Sequence, residues 1–456
     1  MKKKSTNRRQ FIDGTMQGLT GAALGWTAQS ALAQKVRGAN DKVILALIGC
    51  GGRGSGITAA MARLEGVEVK YACEIDDSRG GDFIKEMNEI QGYPPKRVVD
   101  MREVFDDKDV DAVVIGTPEH WHALATVWAC QAGKDVYVEK NISLTIWESR
   151  QMVEAARKYN RIVQCGTQNR SAPYAFSARD YIKSGKLGKI VLVKNYCLLS
   201  ARGSWSPSGD SPTPEGLDWD RWLGPAPKVP YNTSRHRRVY NWFDYTGGDA
   251  LAGDASHVID LARMAIGDPE HPQSVYCAGG HHAYGDKNKQ IPDIQAITYD
   301  YGDFVMTCES GTFSGNYLKK SPGDVRYGDK FPDWRQNGTR IEIYGTDRMM
   351  YLGRHGGGWQ VFEGNGKVDD FDYGYHPDKF HQANFIDCIR TRKTPNGNIE
   401  QGHLSASLIH LGNLSYRAGC KQLLLDPKTE SFTNSPEANQ LARLEYRDPY
   451  RLPEKV

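Results

Sequence analysis

The sequence has 456 residues, of which 39% are hydrophobic and 25% are charged, a composition typical of folded globular proteins and unlike that of disordered or fibrous chains. At this length two domains are expected. The formal net charge of +3 comes from residues 1–33, which contribute +4 and leave −1 on the rest of the chain, so nucleic acid and anionic membranes are not expected as partners.

Residues 1–33 are predicted to be a twin-arginine signal peptide. The segment Ser5-Thr6-Asn7-Arg8-Arg9-Gln10-Phe11-Ile12 is similar to the twin-arginine motif, and a Gly/Ala-rich stretch follows it and ends at Ala31-Leu32-Ala33, a typical cleavage site. The stretch is too polar to be a membrane-spanning helix, and no other segment is long and apolar enough to be one. We therefore expect a protein without an integral membrane span that is exported, for example to the periplasm.

Val43–Ile48 is predicted to be a buried strand that leads into a glycine-rich turn and a helix. Gly49, Gly51 and Gly54 follow it in GxGxxG register. The first glycine permits a tight turn, the second lets the backbone approach a pyrophosphate, and the third lets the helix pack closely with its N-terminus towards the phosphates. We therefore predict a dinucleotide site that also includes Gly52 and Arg53.

A second apolar segment, residues 67–75, contains Glu74, twenty residues after Gly54. A carboxylate at this distance can accept hydrogen bonds from the ribose hydroxyls of the cofactor, and it repels a 2′-phosphate. The predicted cofactor is therefore NAD, with NADP less favoured.

From residue 41 to residue 165, strand and helix patterns alternate as in a parallel doubly wound sheet, which predicts an NAD-binding Rossmann domain. After Gly166 short strands appear, separated by long loops rich in glycine and aromatic residues. This pattern predicts an α+β domain over residues 166–456 with an antiparallel or mixed sheet. The strands predicted for it span residues 190–199, 274–278, 296–301, 304–311, 339–344, 349–352 and 358–363.

Several short segments resemble the Gfo/Idh/MocA family, named for glucose-fructose oxidoreductase, inositol dehydrogenase and the rhizopine-catabolism protein. The segments are Thr117-Pro118-Glu119-His120-Trp121-His122, Val138-Glu139-Lys140, Gly166-Thr167-Gln168, Leu217-Asp218-Trp219-Asp220-Arg221-Trp222-Leu223-Gly224-Pro225 and His257-Val258-Ile259-Asp260. The resemblance is to the exported bacterial branch and covers nearly the whole chain after the signal. It implies a Rossmann domain followed by a domain with a large, mostly antiparallel sheet that forms dimers or tetramers, and chemistry on a sugar or cyclitol.

The resemblance implies that Lys140 and His257 move the proton of the substrate. Lys140 follows a predicted strand, at the edge where open α/β sheets bind ligands, and an amine there can donate to a substrate hydroxyl. Asn141 replaces the proline that follows this lysine in the family. The family pairs the histidine with an acid four residues earlier, whereas here Asp254 precedes His257 by three residues, which still places both on one helix face; Asp249 is the alternative acid.

Further contacts are predicted from position at strand ends and at the domain junction. Those with the cofactor are Thr117, Pro118, His120, His122, Glu139, Lys140 and Gln168. Those with the substrate are Lys140, Asn169, Arg170, Asp254 and His257. No metal site is predicted, because the His-x-His pair at 120 and 122 has no further placed acid and the nine cysteines contain no CxxC pair.

These features predict a nicotinamide-dependent oxidoreductase that transfers a hydride to or from a hydroxyl carbon of a sugar, glycoside or cyclitol. One alternative is an NAD-dependent glycoside hydrolase that oxidises C3 of the sugar transiently and cleaves by elimination, with no net redox change. A second alternative is a sugar-binding module without catalysis on a retained Rossmann scaffold.

Overall fold

The computed structural model describes residues 42–199, 207–285, 289–315, 317–318 and 321–456. The predicted signal peptide, residues 1–33, lies outside this part of the chain. Within it, no helix combines the length and the apolar character that crossing a membrane requires.

Six parallel strands form the first sheet, in the order β3-β2-β1-β4-β5-β6. The strands are β1 (Val43–Ile48), β2 (Val67–Cys73), β3 (Lys96–Val98), β4 (Ala112–Ile115), β5 (Asp135–Val138) and β6 (Val163–Cys165), and the helices between them are α1 (Gly52–Ala62), α2 (Asp77–Gln91), α3 (Met101–Asp106), α4 (His122–Gln131) and α5 (Ile146–Lys158). Apolar side chains on β1 and β4 belong to two separate core clusters, one on each face of the sheet. This is the predicted doubly wound arrangement, and the Rossmann fold is confirmed.

Ten strands form the second sheet, in the order β14-β13-β12-β11-β7-β10-β9-β8-β15-β16. All neighbours pair antiparallel except β7 and β10, so the prediction of a large, mostly antiparallel sheet is confirmed. The strands are β7 (Ile190–Leu198), β8 (Ser274–Gly280), β9 (Ile294–Asp300), β10 (Val305–Gly311), β11 (Arg340–Gly345), β12 (Met349–Gly353), β13 (Trp359–Phe362), β14 (Val368–Asp372), β15 (Leu423–Asp426) and β16 (Ser431–Phe432).

Helices cover one face of the second sheet. Side chains of α6 (Pro173–Lys183), α9 (Ser256–Ala265) and α12 (Ile399–Arg417) share one apolar core with the inward residues of β7 to β12. Along β8 and β9 buried residues alternate with more exposed ones, which is typical of a sheet with one packed face. The remaining helices are α7 (Trp219–Leu223), α8 (Thr233–Arg237), α10 (Gly323–Arg326), α11 (Asp378–Thr391) and α13 (Pro436–Leu441).

The chain crosses back to the first sheet near its end. Phe385 and Ile389 of α11 lie in the same core cluster as Val43, Leu45 and Leu47 of β1. The strands of the two sheets divide at residue 166, but residues after 166 help to cover the first sheet. The division into domains of residues 41–165 and 166–456 therefore stays a prediction.

Candidate active site

The turn between β1 and α1 lies at the carboxyl edge of the first sheet. Gly49 has φ +87°, and a Cβ atom on Gly54 would lie 2.6 Å from the carbonyl oxygen of Gly49, so α1 packs directly on the turn. No side chain caps the N-terminus of α1, and its first turn contains no acidic residue. These two features leave the helix N-terminus suited to an anion such as a pyrophosphate.

A first cavity, of about 90 Å³, lies between the ends of β1 and β4. In this strand order the connection reverses direction between these two strands, which is where doubly wound sheets bind dinucleotides. Gly49, Gly51 and Glu74 line the cavity. Glu74 Oε2 accepts a hydrogen bond of 2.6 Å from the N–H of Cys50, so the carboxylate faces the glycine turn. Burial raises the pKa of Glu74, while backbone N–H groups that donate to it lower the pKa in part.

Three aromatic side chains from the chain after the first sheet close over this cavity: Trp222, His236 and Tyr450, here called the aromatic cover. Trp121, which also lines the cavity, ties the cover to the first sheet. Its Nε1 donates to the carbonyl oxygen of Trp222 at 3.2 Å, and its ring lies 5.2 Å from that of Tyr450. The cavity is small because this cover lies against it.

A second cavity, of about 450 Å³, continues from the first, since Gly116, Thr117 and Pro118 line both. Its other lining residues are Arg53, Glu119, His122, Glu139, Lys140, Gln168, Leu199, Val239, Tyr240, Tyr245, Thr246, Asp249, Gly253, Asp254, His257, Arg326, Arg354, His355 and His376. The fold therefore brings the predicted residues Lys140, Asp254 and His257 to one cavity beside the glycine turn.

Lys140 and Asp254 each have one defined partner beside the second cavity. Lys140 follows β5, and its Nζ donates to the carbonyl oxygen of Gly253. Gly253 and Asp254 belong to a π-helical turn, Leu251–Ala255, that precedes α9. Asp254 Oδ1 lies 3.1 Å from Arg354 Nη2 and forms a buried ion pair with it. The wide turn thus presents a carbonyl group and a carboxylate to the same cavity.

His257 is buried near the start of α9. Burial, together with the positive charges of Arg354, Lys140 and Arg53, holds the pKa of His257 well below its usual value. Its Nδ1 has no hydrogen-bond partner in the described part of the chain. The imidazole is therefore neutral at neutral pH and can accept a proton from a ligand in the cavity.

Glu139 connects the predicted cofactor residues. Its Oε1 accepts from Arg53 Nε at 3.3 Å and from Gln168 Nε2 at 3.4 Å.

The ring nitrogens of His122 lie 2.7 Å from the carbonyl oxygen of Asn141 and 2.8 Å from that of Thr117. His122 therefore joins the chain after β4 to the chain after β5, and it fixes the peptide that follows Lys140.

Glu119, which follows β4 as His120 and His122 do, is a buried carboxyl in the second cavity. Its Oε2 accepts a hydrogen bond of 2.9 Å from the N–H of Gly247. Burial raises the pKa of Glu119 to about 7 in spite of this hydrogen bond. A group with this pKa can give or take a proton near neutral pH.

His120, predicted as a cofactor contact, packs among aromatic side chains. Its side chain lines neither cavity. The ring packs against Trp222 and Tyr245, with centroid distances of 5.3 and 5.2 Å, and Nε2 donates to the carbonyl oxygen of Trp222 at 2.9 Å. The side chain turns towards the aromatic residues because the chain forms a 3-10 turn, Glu119–Trp121, directly after β4. Gly52 and Gly54, also predicted contacts, lie within α1 and do not line the cavities.

Asn169 and Arg170, predicted as substrate contacts, line neither cavity. Asn169 Nδ2 donates to Tyr174 Oη at 2.8 Å. Arg170 is buried and forms ion pairs with Asp260 at 2.7 Å and Asp268 at 2.8 Å. A polar cluster after a strand end has the same sequence pattern whether it faces a ligand or joins two elements, so the sequence did not distinguish the two.

The second half of the chain adds basic side chains to the second cavity that the sequence patterns did not predict. These are Arg326 at the end of α10, Arg354 and His355 after β12, and His376 before α11. In the sequence, the position of Arg354 and His355 just after a predicted strand is the feature that could have indicated a place in the site.

In the part of the chain that the structure describes, one group of side chains has the arrangement of metal ligands: His271, His403 and Glu430. It lies outside both cavities. Arg150 Nη2 lies 2.7 Å from Glu430 Oε1 and 2.9 Å from His403 Nε2. The guanidinium group of Arg150 therefore already supplies the positive charge that a metal ion would bring to these side chains.

Two family models match the sequence. One, described as an oxidoreductase family with an NAD-binding Rossmann fold, matches residues 43–167; the other, described as the C-terminal alpha/beta domain of the oxidoreductase family, matches residues 200–337 and 355–452. Both bear the Gfo/Idh/MocA name.

Curated relatives match over parts of their length. Levoglucosan dehydrogenase of Pseudarthrobacter phenanthrenivorans is 31% identical over 173 residues, 37% of this chain and 36% of that protein. A glycosyl hydrolase family 109 protein of Shewanella pealeana is 33% identical over 123 residues, 26% of this chain and 27% of that protein. The chain thus spans about a third of the length of these two relatives. The scyllo-inositol 2-dehydrogenase (NAD(+)) of Bacillus subtilis is 26% identical over 317 residues, 65% of this chain and 72% of that protein.

Solved structures share the fold. Levoglucosan dehydrogenase in complex with NADH and levoglucosan superposes with a TM-score of 0.60 at 19% identity and covers 84% of this chain and 99% of its own. GenD2 from gentamicin A biosynthesis, in complex with NAD, superposes with a TM-score of 0.59 at 16% identity and covers 87% of this chain and 100% of its own.

Proposed function

Because the chain belongs to the Gfo/Idh/MocA oxidoreductase family, we propose that it is an NAD-dependent oxidoreductase that transfers a hydride to or from a hydroxyl carbon of a sugar or cyclitol. The observation that carries the proposal is the continuity of the two cavities at Gly116, Thr117 and Pro118. Through it, Lys140 and His257 lie next to the crevice that contains the glycine turn.

The residues of the first cavity fit the adenosine half of a dinucleotide. The uncapped N-terminus of α1 supplies amide groups for a pyrophosphate, and Glu74 lies where it can accept hydrogen bonds from ribose hydroxyls. A carboxylate there also repels a 2′-phosphate, which favours NAD over NADP. The NAD(H) complexes of levoglucosan dehydrogenase and GenD2 support this assignment.

In the second cavity Lys140 and His257 would handle the proton of the reacting hydroxyl. The bound nicotinamide would supply or accept the hydride. Lys140 Nζ, oriented by the carbonyl group of Gly253, would donate a hydrogen bond to the substrate oxygen, and neutral His257 would take its proton during oxidation. In reduction the same groups return the proton. The names of the levoglucosan and scyllo-inositol relatives support a sugar or cyclitol as substrate.

The test combines cofactor binding with turnover. The purified protein should bind NADH, measured by fluorescence titration, and should reduce NAD with at least one member of a panel of sugars, anhydrosugars and inositols. Lys140→Met should lower kcat/KM by about 100-fold or more and leave NADH affinity within about threefold. Arg335→Gln, at a side chain 87% exposed, is the matched control. A protein that does not bind NADH, or a Lys140→Met variant with full activity, would refute the proposal.

A second candidate function is glycoside cleavage through transient oxidation. The glycosyl hydrolase family 109 relative and the pKa of about 7 at Glu119 favour it, since a carboxyl that is partly protonated at neutral pH can protonate a departing glycosidic oxygen. A chromogenic glycoside distinguishes the two functions. Release of the aglycone without net NADH formation supports cleavage, and accumulation of NADH supports a dehydrogenase.

Export by the twin-arginine pathway is part of the proposal. It rests on the Arg8-Arg9 motif and on the state of the nine cysteines, all of which lie in the described part of the chain and form no disulfide there. A chain that folds with reduced thiols and a bound dinucleotide before export fits this route. Replacement of Arg8 and Arg9 by lysine should retain the protein in the cytoplasm, measured by cell fractionation.

Assembly into a dimer or tetramer through the open face of the second sheet is also proposed. Tyr276, 44% exposed, points to the face opposite the helices, as does Tyr196, which stacks with Arg340 at 3.8 Å. An exposed aromatic face of this kind is typical of interaction surfaces. Light scattering should give a mass above that of one chain, and Tyr276→Glu should reduce it.

A further inference from the structure

Arg326 differs from the two other arginines of the second cavity, Arg53 and Arg354, because they form ion pairs with carboxylates. Arg53 lies 3.3 Å from Glu139 and 2.9 Å from Asp378, and Arg354 lies 3.1 Å from Asp254. For Arg326, in the described part of the chain, no carboxylate lies within ion-pair distance, and its buried Nε has no hydrogen-bond partner. This guanidinium group therefore lines the cavity without a counter-charge from any residue that the structure describes.

The backbone of Arg326 is fixed in place. Its carbonyl oxygen accepts a hydrogen bond of 2.9 Å from the N–H of His376. A Cβ atom on Gly356 would lie 2.9 Å from Arg326 Cα, so the turn at Gly356 packs closely against it. The guanidinium group thus starts from a rigid position on the side of the cavity that the second half of the chain forms, whereas the glycine turn and Arg53 lie on the other side.

Basic side chains and carboxyl groups line the second cavity in equal number. Four basic side chains line it, Arg53, Lys140, Arg326 and Arg354, together with four carboxyl groups, Glu119, Glu139, Asp249 and Asp254. Burial raises the pKa of Glu119 to about 7, so that at neutral pH this carboxyl is only partly ionised.

The pKa of His376 reflects its burial and charges of both signs. Burial lowers it to about 4, Asp378 opposes the shift, and Arg354, Arg326 and Arg53 add to it. What carries the argument is the guanidinium group of Arg326, because a buried charge that has no counter-charge gains free energy when an anion pairs with it.

We propose that the substrate carries a carboxylate and that Arg326 binds it. This inference rests on the proposed function and narrows its substrate class to a sugar acid, such as a hexuronic acid or its glycoside. The planar guanidinium group matches a carboxylate with two parallel hydrogen bonds, which gives both affinity and orientation. During oxidation one ring hydroxyl carbon loses a hydride to NAD and its O–H proton to the protein, and the carboxylate remains unchanged.

The test uses matched pairs of neutral and acidic sugars: glucose with glucuronate, galactose with galacturonate, and methyl glucoside with methyl glucuronide. For each, kcat/KM is measured with NAD, and binding to the NADH complex is measured by calorimetry. The wild type should prefer the acidic member of at least one pair. Arg326→Gln should weaken binding and kcat/KM for that acid by about tenfold to 100-fold and change the neutral member by less than about twofold. Arg335→Gln is the control, and Arg326→Lys should recover part of the preference.

Other results overturn the inference and leave the proposed function standing. Neutral sugars that are oxidised as well as the acids, or an equal loss for both members of a pair in Arg326→Gln, would show that Arg326 does not select a carboxylate. A weaker NADH complex in Arg326→Gln without a change in sugar preference would assign the residue to the cofactor. If wild-type protein binds NADH but calorimetry detects none of the acids, the inference is also wrong. If NADH does not bind at all, both proposals fail.

Discussion

Replacing Arg170 tests whether this residue stabilises the fold through its ion pairs or binds the substrate, as the sequence predicts. Arg170→Leu removes two ion pairs that differ in their surroundings. The pair with Asp260 is almost completely buried, with 3% and 0% of the side chains exposed, whereas Asp268 is 26% exposed. Breaking a buried pair from one side costs about 3–5 kcal/mol, and a partly exposed pair adds about 0–1 kcal/mol. The free energy of unfolding should therefore fall by about 3–6 kcal/mol, a large part of the stability of an ordinary domain.

The loss should depend on pH, because Asp260 is left without its main partner. Burial raises the pKa of Asp260 in the wild type, and Arg170 partly lowers it. Without Arg170 the folded variant holds a proton on Asp260 at pH values at which the unfolded chain has lost it. Stability then falls as pH rises through this window, by at most about 1.4 kcal/mol per pH unit. Arg170→Leu should be closer to the wild type at about pH 5.5 than at about pH 8.5.

Urea denaturation followed by circular dichroism at several pH values measures both effects. Arg170→Leu/Asp260→Asn should recover at least about half of the loss, because residue 260 then carries no unpaired buried charge. Arg179→Leu is the control: this arginine is 39% exposed beside Asp180, and its loss should change stability by less than about 0.5 kcal/mol. If Arg170→Leu were as stable as the wild type but bound the sugar at least about tenfold more weakly, the residue would be a substrate contact after all.

Three further predictions concern the two cavities. Glu74→Ala should lower the preference for NAD over NADP by about tenfold or more, measured as the ratio of kcat/KM values, because it removes the charge that repels a 2′-phosphate. Since the pKa of His257 lies well below its usual value, kcat/KM for oxidation should stay level as pH falls through about 6.5, and Arg354→Gln should move the acid limb of the profile to higher pH. Gly54→Ala should lower the free energy of unfolding by about 1–3 kcal/mol and weaken NADH binding, both accessible to thermal shift assays with and without NADH, because its Cβ would lie 2.6 Å from the carbonyl oxygen of Gly49.

The first buried strand could be predicted to the residue. β1 coincides with the predicted strand Val43–Ile48, since a short apolar run between turn residues has few other structures open to it. β14 was missed because its sequence, Val368–Asp372, contains three aspartates and lies at the edge of the second sheet. Its strand structure depends on pairing with β13, which the sequence of the segment does not encode.

The same distinction applies to the site. Gly49, Glu74 and Lys140 were predictable because each follows shortly after the end of a parallel strand: β1, β2 and β5, respectively. Arg326 and Arg354 were not, because they reach the second cavity from the end of α10 and from the loop after β12, whose positions depend on the register of the second sheet. For Asn169 and Arg170 the sequence predicts contacts with the substrate, whereas in the structure their side chains contact distant helices and loops.

The aromatic cover has a consequence for how long a dinucleotide stays in place. Trp222, His236 and Tyr450 come from three separate segments, and Tyr450 lies six residues from the last residue of the chain. An adenosine bound in this cavity would lie against these rings and against Trp121. Trimming the final residues of the chain, which removes Tyr450, should therefore shorten the time that the cofactor stays bound without altering a single reacting group.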